Sequence, residues 1–576
     1  MLTKDTVCDF FSLPIESRSY YSTPQNLYDD LELVDTCPDS SGTPFYDYVF
    51  QPSTDFGKAT VRKWSELYTT DIQFLKDSQK LYQSLDGHTF NSATIRNAWN
   101  TWKEVKGDAN FVEKLQYVDW DRMRWLNKST TFLTVLTFYS ILSPLLNLIS
   151  PVALLILPFI ILKIMGAPIT TSAYVDVLVG MLKKHGIFKL FVQFNDVSWN
   201  QRAYMLVCFG MYVYNIYQNV ISCCKFYANT KTINRIIRDM TEFLKYTEEQ
   251  LKFFISKLDH LETYADYKTY LESKLDAISR LKISLADVPT ATFHPRRISS
   301  MGYVMKQFYL LYESNDIEDT IMFSFGFHGY VETAMGLLRN IREKTLSKAR
   351  FSKSKKPVLK LTDAHYPATG KDSVPNSVDM KTSKVITGPN AAGKTTLLKT
   401  TLTNLLLSQQ VGYGFYRRAR ITPFDYIHCY LNIPDTSSRD SLFQAEARRC
   451  LDILEMTKKH SKKKHFCIFD ELYSGTNPYE AIGSAYAYLS HISQNNNIKF
   501  MLTTHFIKLC KLLEDNASIS NFNMETKLVS GRPCYSYKLA EGISSVKGGV
   551  CVLQQLGYPD CILDDTTRAM EACGGG

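Results

Sequence analysis

Apolar and polar positions follow three different patterns along this chain. Residues 129–162 contain no charged side chain, a run of 34 positions. A membrane-crossing helix needs about 20 apolar residues. The run is therefore too long for one untilted span and short for two. Pro144, Pro151 and Pro158 stand seven residues apart inside it. Proline lacks a backbone donor and kinks or breaks helices, so a broken hairpin or re-entrant element is expected, inserted in a membrane or buried as a pair in a core. Residues 203–224 are also uncharged but include Asn215, Gln218 and Asn219, which suits a buried helix as well as a span. Lys and Arg flank both runs, so the positive-inside rule selects no topology cleanly.

Elsewhere the period is helical. Residues 55–85 read as one helix, with Val61, Trp64, Leu67, Ile72 and Leu75 at helical spacing. Residues 226–290 read as a long amphipathic helix, with Ile233, Ile237, Met240, Leu244, Thr247, Leu251, Phe254, Leu258 and Leu261 along one face. A third helix is expected over 319–347, followed by a basic linker from Ser352 to Pro357. After residue 380 the period shortens, and compact apolar runs of strand type end in polar residues.

Composition narrows the class. The 576 residues are 45% hydrophobic and 21% charged, which excludes a disordered chain. Lys+Arg 66 against Asp+Glu 57 leaves +9, compatible with nucleic acid or anionic lipid but implying neither. The 13 cysteines form no C-x-x-C pair, so free thiols in a reducing compartment are expected. The first residues open no apolar run, and no cleaved secretory leader is expected. An intracellular location follows, with any membrane-attached form keeping the C-terminal domain in cytoplasm or nucleus.

The chemistry lies in the last third. Lys384-Val-Ile-Thr-Gly388-Pro389-Asn390-Ala391-Ala392-Gly393-Lys394-Thr395-Thr396 fits G-x-x-x-x-G-K-[ST] between a strand-like run and a helical run. Glycines let such a loop turn its N–H groups toward phosphate oxygens, and the following helix start adds positive potential. Lys394 would reach the β- and γ-phosphates of ATP, and the Thr395 hydroxyl would hold Mg²⁺. His465-Phe-Cys-Ile-Phe-Asp470-Glu471 is an apolar strand ending in two carboxylates. Asp470 suits the metal, and Glu471 suits orienting or deprotonating the attacking water. Leu502-Thr-Thr-His505 ends a third such strand, where His505 could face a γ-phosphate.

These segments resemble the ATPase domain of MutS proteins. The likeness also rests on Ser441-Leu-Phe443-Gln-Ala-Glu446 as a signature loop, and on Ala364-His365-Tyr366-Pro367 and Val374-Pro375-Asn376 upstream. Lys538-Leu-Ala-Glu-Gly542 and Gln555-Leu-Gly557-Tyr-Pro559 extend it downstream. It covers about residues 355–570. A weaker likeness to the MutS core and lever begins near Leu31-Glu32-Leu33 and Phe56-Gly57-Lys58. With the apolar insertion, the chain looks like the membrane-bearing MutS-related ATPases.

The resemblance implies an α/β P-loop NTPase domain of ABC class at the C-terminus, after an all-α core and lever region with a hydrophobic helical insertion. It implies four parts: 1–128 core-like, 129–225 insertion, 226–354 lever, 355–576 ATPase. It further implies ATP and Mg²⁺ as cofactors and a homodimer or heterodimer through the ATPase domain. Gly388 to Thr396 would bind ATP, Asn390 would anchor phosphate or water, and Ser441 would reach the γ-phosphate in trans. Hydrolysis would move the lever, with DNA a candidate partner in mismatch repair or recombination. The alternative is a membrane-anchored ATP-driven scaffold, attached through 129–162 and less surely 203–224, without mismatch recognition. No Leu-Ser-Gly-Gly-Gln signature supports an ABC transporter. Phe111-Val-Glu113 spells the mismatch reader's Phe-x-Glu, but within a helical stretch behind the core start. Tyr473-Ser474 stands where the family usually has Gly-Arg. Nucleotide hydrolysis is expected; mismatch reading is not.

Overall fold

The computed structural model describes residues 4–36, 42–87, 89–107, 110–166, 170–184, 198–286, 298–431, 442–529, 532–544, 550, 553 and 556–574. The chain is mixed α/β, with helices prevailing toward the N-terminus and two sheets in the C-terminal part. Its strands are β1 (Tyr21–Ser22), β2 (Leu67–Tyr68), β3 (Ser347–Phe351), β4 (Leu359–Ala364), β5 (Asn376–Asp379), β6 (Ser383–Thr387), β7 (Tyr413–Gly414), β8 (Arg418–Ile421), β9 (Tyr426–Tyr430), β10 (His465–Asp470), β11 (Ile498–Thr504), β12 (Ile519–Val529) and β13 (Arg532–Glu541). Two units are distinguished: residues 1–92, 251–273 and 322–576 form one, residues 93–250 and 274–321 the other.

In the first unit one sheet runs β13-β12-β6-β11-β10-β9. Strands β12, β6, β11, β10 and β9 pair in parallel, and β13 closes the edge antiparallel to β12. All five residues of β6 are buried, as are most of β10 and β11. Strands covered on both faces bury consecutive rather than alternate residues. The second sheet runs β5-β4-β8-β3-β7. The basic linker 352–357 joins β3 to β4, which flank β8 in this sheet.

The helix Lys394–Val411 is buried on nearly all sides. It starts at Gly393 (φ 91°) and stops at Gly412 (φ 80°), a left-handed C-terminal stop that glycine adopts without strain. Its buried amides join the first residues of the chain to the sheets. Gln410 Nε2 donates to the carbonyls of Trp64 and Leu67 at 2.8 and 2.9 Å. Gln409 Nε2 donates to the carbonyls of Thr69 and Phe424 at 3.3 and 2.9 Å.

Residues 55–85, expected as one helix, are two: Asp55–Ser65 and Ile72–Ser84. Between them β2 pairs antiparallel with β1. Asp71 Oδ1 accepts from the amides of Gln73 and Phe74 at 3.0 and 3.1 Å, an N-cap that fixes a new helix start. Trp64, Leu67 and Leu75 are all buried. The apolar period thus reported burial, while the cap and the cross-strand pairing decided continuity.

In the second unit the apolar run forms one helix, Thr130–Ile164, where a broken element was expected. A proline leaves the carbonyl four residues earlier without its N–H partner. For Pro144 that is Ser140, whose carbonyl accepts from Ser143 Oγ at 3.3 Å. For Pro151 it is Asn147, whose carbonyl accepts from the Tyr212 hydroxyl at 3.0 Å. Hydroxyl groups stand in for the missing amides, a known way for helices to tolerate proline. The helix Ile298–Glu313 crosses this one closely: a Cβ on Gly302 would lie 2.4 Å from the Thr130 carbonyl oxygen.

The helix expected over 226–290 begins earlier, at Trp199, and ends at Ser256; after a short 3-10 turn a second helix runs Ala265–Ala286. The nine face residues from Ile233 to Leu261 are nonetheless all buried. No glycine or proline lies between Ser256 and Ala265 to announce the break. The helix expected over 319–347 spans Asn315–Arg342, and Ser347 already opens β3. Of the cysteines, the nine described as free include Cys429, Cys450, Cys467 and Cys510 in the buried interior.

Candidate active site

Three parallel neighbours end side by side. After β6 the chain turns through residues 388–393 into the helix Lys394–Val411. After β10 come Asp470 and Glu471, and after β11 comes His505. Ligands of open parallel sheets gather at these carboxyl ends. The turn is conformationally specialised. Ala391 has φ 62° and Gly393 φ 91°, and a Cβ on Gly393 would press within 3.2 Å of the Tyr537 ring.

Lys394 is buried, and its ammonium donates to the carbonyls of Gly388 and Pro389 at 3.0 and 3.3 Å. Burial lowers its pKa, and the nearby Glu471 and Asp470 carboxylates oppose that shift. His505 Nε2 lies 2.7 Å from Glu471 Oε1 and 3.1 Å from Lys394 Nζ. The shorter contact, to a carboxylate, assigns the proton to Nε2, donated to Glu471. That hydrogen bond is the main cause holding the Glu471 carboxyl below its usual range, against the opposing effect of burial. Glu471 has φ 53°, in a region that costs a non-glycine residue about 1–3 kcal/mol. Its amide bonds the Thr503 carbonyl at 3.0 Å.

Asp470 is held from two sides. Thr395 Oγ1 donates to its Oδ2 at 2.8 Å, and Thr503 Oγ1 donates to its Oδ1. Beyond it the loop 473–475 is tied to Glu446, which is 2% exposed. Glu446 Oε1 accepts from the Ser474 amide and hydroxyl at 3.1 and 2.9 Å, and Oε2 from the Gly475 amide at 3.1 Å.

A cavity of about 550 Å³ opens above the turn, lined by Pro389, Asn390, Ala391, Gly393, Lys394, Thr395, Thr396 and Glu471. Gly388 and Ala392 are not part of this lining. Asp470 and His505 also stand outside it, joined to it through Thr395, Glu471 and Lys394. Ser441 lies outside the described residues. The lining also includes Tyr366, Asn376, Met524 and Tyr537, to which the sequence assigns no role in the site. Tyr366 and Asn376 lie in the upstream segments 364–367 and 374–376. Asn376 ties β5 to β13, donating to the Tyr537 carbonyl at 2.8 Å and accepting from the Leu539 amide at 2.8 Å.

Residues 384–573 match the family model of MutS domain V. Over this third of the chain the sequence is similar to the MutS family. Similar proteins named DNA mismatch repair protein MutS include that of Cytophaga hutchinsonii, 30% identical over 36% of this chain and 24% of the relative. That of Syntrophobacter fumaroxidans is 25% identical over 67% of this chain and 38% of the relative. That of Caldicellulosiruptor bescii is 23% identical over 62% and 37%. The chain thus spans less than two fifths of the length of each of these MutS relatives.

Proposed function

We propose that this protein binds ATP in the 550 Å³ cavity and hydrolyses it, through a P-loop domain of ABC class. One observation carries the reading: Lys394, Thr395 and Glu471 line one cavity, and Asp470 and His505, from neighbouring strand ends, contact them directly. Lys394, with residues 388–396, would hold the phosphates in place of the loop carbonyls it now meets. Glu471 would accept a proton from water as the water oxygen bonds the γ-phosphorus and the bridging β–γ oxygen leaves with ADP. The His505 N–H would keep that carboxylate ionised and aimed. Asn390 would steady phosphate or water, and Tyr366 and Tyr537 would wall the base. The Thr395 hydroxyl and Asp470 carboxylate are hard oxygen donors that fit Mg²⁺, which when bound neutralises phosphate charge.

In this reading two ATPase domains pair, in a homodimer or heterodimer, with Ser441 of each reaching the partner's nucleotide. The turnover moves the helical region 226–354 as a lever. The names of the relatives support a link to DNA mismatch repair; recombination is a further candidate. Phe111 argues against its being the mismatch wedge: it is buried, its ring centroid 3.7 Å from that of Tyr312.

The test compares ATP turnover of the wild type with Glu471→Gln and Lys394→Ala, with and without duplex, branched and mismatched DNA. Glu471→Gln is expected to keep ATP binding and lose about 10²- to 10⁴-fold in turnover, the usual worth of a general base. Lys394→Ala is expected to lose binding. Full turnover in both variants overturns the assignment.

A second reading, a membrane-anchored ATP-driven scaffold, is favoured by one feature. Among the described residues, the helical segment Thr130–Ile149 is long and apolar enough to cross a membrane by length and composition. Val135, Tyr139, Leu145, Leu146 and Leu148 stand exposed on it. Flotation of the intact protein with lipid vesicles supports this reading, and failure to float removes it.

A further inference from the structure

Away from the nucleotide cavity, the second sheet of the first unit shows an array of cations that nearby carboxylates neutralise only in part. Parallel pairing sets Arg350 beside Arg420, and antiparallel pairing sets Lys360 on the other side of Arg420. Three positive side chains therefore stand abreast on neighbouring strands, about 4.8 Å apart. One step along β8, about 6.6 Å away on the same face, Arg418 pairs with Thr362, and Lys348 of β3 lines the same groove. These basic residues are exposed, whereas Ala349, Ala419 and Leu361 between them are buried. Like charges directly opposite one another destabilise a sheet. Lys76 and Lys80, one turn apart on the helix Ile72–Ser84, wall the same groove, and Arg417 completes it.

Three of these cations are paired: Lys80 with Asp77, Lys360 with Asp379 and Arg417 with Asp363, at 2.8, 3.2 and 2.7 Å. Among the described residues Lys76, Lys348, Arg350, Arg418 and Arg420 have no carboxylate partner, and no carboxylate lines the groove. Lys348 donates to the neutral Gln83 Oε1 at 2.8 Å. The groove holds about 880 Å³, within the roughly 300–1,000 Å³ of small-ligand clefts. Its lining departs from the usual apolar one, so its occupant must bring charge. Guanidinium forks match phosphate oxygens in pairs. The concave shape disfavours a flat lipid surface, and Phe351 alone gives no platform for a run of stacked bases.

We propose that this groove binds a small, soluble anion bearing several clustered phosphates. The site is separate from the nucleotide cavity and does not depend on the ATPase reading.

The experiment titrates inositol hexakisphosphate into the full chain by calorimetry, with a non-hydrolysable ATP analogue in excess so that the nucleotide cavity cannot account for the heat. Saturable, salt-sensitive binding is expected. It should weaken about tenfold or more for each arginine lost in Arg418→Gln, Arg420→Gln and the double variant. Without ligand these variants should melt no lower than the wild type, since a like-charge neighbour is removed. With ligand, only the wild type should gain melting temperature strongly. Arg350→Gln, from another strand, gives an independent repeat should the double variant misfold. Absence of binding to the wild type, or equal affinity in all variants, overturns the proposal. So does a result in which duplex DNA or anionic vesicles, and not inositol hexakisphosphate, lose affinity on these substitutions.

Discussion

Glu446 offers a sharp test of how the loop 473–475 is held. Its carboxylate is buried and accepts three hydrogen bonds, two from Ser474 and one from Gly475. A hydrogen bond to a charged group contributes about 1.5–3 kcal/mol. A tenfold change in an equilibrium corresponds to about 1.4 kcal/mol. Losing one amide bond should therefore speed local opening about 10- to 160-fold at that amide. Glu446→Ala removes both amide bonds, so exchange of the Ser474 and Gly475 N–H protons with deuterium should accelerate together. Glu446→Gln keeps one carbonyl oxygen and turns an NH₂ group toward the other donor site. Only one of the two amides should then speed up. Tyr473 has φ 59° and follows Glu471 at a distance of two residues, so the loosened loop should also lower ATP turnover while leaving nucleotide affinity near that of the wild type. Amide-resolved exchange by mass spectrometry or NMR reads this directly. If exchange at both amides is unchanged in Glu446→Ala, the carboxylate is not what fixes the loop.

Four further outcomes are expected. His505→Ala removes the donor that favours the ionised Glu471. Because that donor lowers the carboxyl's pKa, its removal should move the acid limb of the kcat/KM profile to higher pH; an unmoved limb refutes the pairing. By the same linkage, the stabilising share of the wild-type Glu471 is present above the ordinary carboxylate range and lost as pH falls through the depressed folded value, which acid titration of melting temperature follows. Gly336→Ala should destabilise by about 1–3 kcal/mol or more, since its Cβ would stand 1.8 Å from the Phe50 carbonyl oxygen; a denaturation midpoint equal to wild type contradicts that packing. Tyr212→Phe should cost about 1 kcal/mol and much less when Pro151→Ala has restored the amide for the Asn147 carbonyl, a coupling that a double-mutant cycle of thermal melts isolates.

What the sequence determined by itself was local chemistry. The glycine spacing of residues 388–393, the two carboxylates after an apolar run and the histidine after another are short-range signals. Backbone conformation and strand ends need nothing distant to encode them. Burial was equally legible, since every residue from Ile233 to Leu261 on the proposed face is covered. Continuity of helices was not, because it depends on partners far along the chain. Asp71 and the β1–β2 pairing divided one expected helix, and Ser143 and Tyr212 helped keep another whole through Pro144 and Pro151. Tertiary structure also decided which side chains share a space. Tyr537 and Met524 meet the turn 388–393 only because β12 lies beside β6 in the sheet. Arg350, Lys360 and Arg420 become one row only through strand register. Charges so far apart in sequence show no pattern until pairing sets them abreast, and hydrogen bonding between strands, rather than the order of residues, fixes that register.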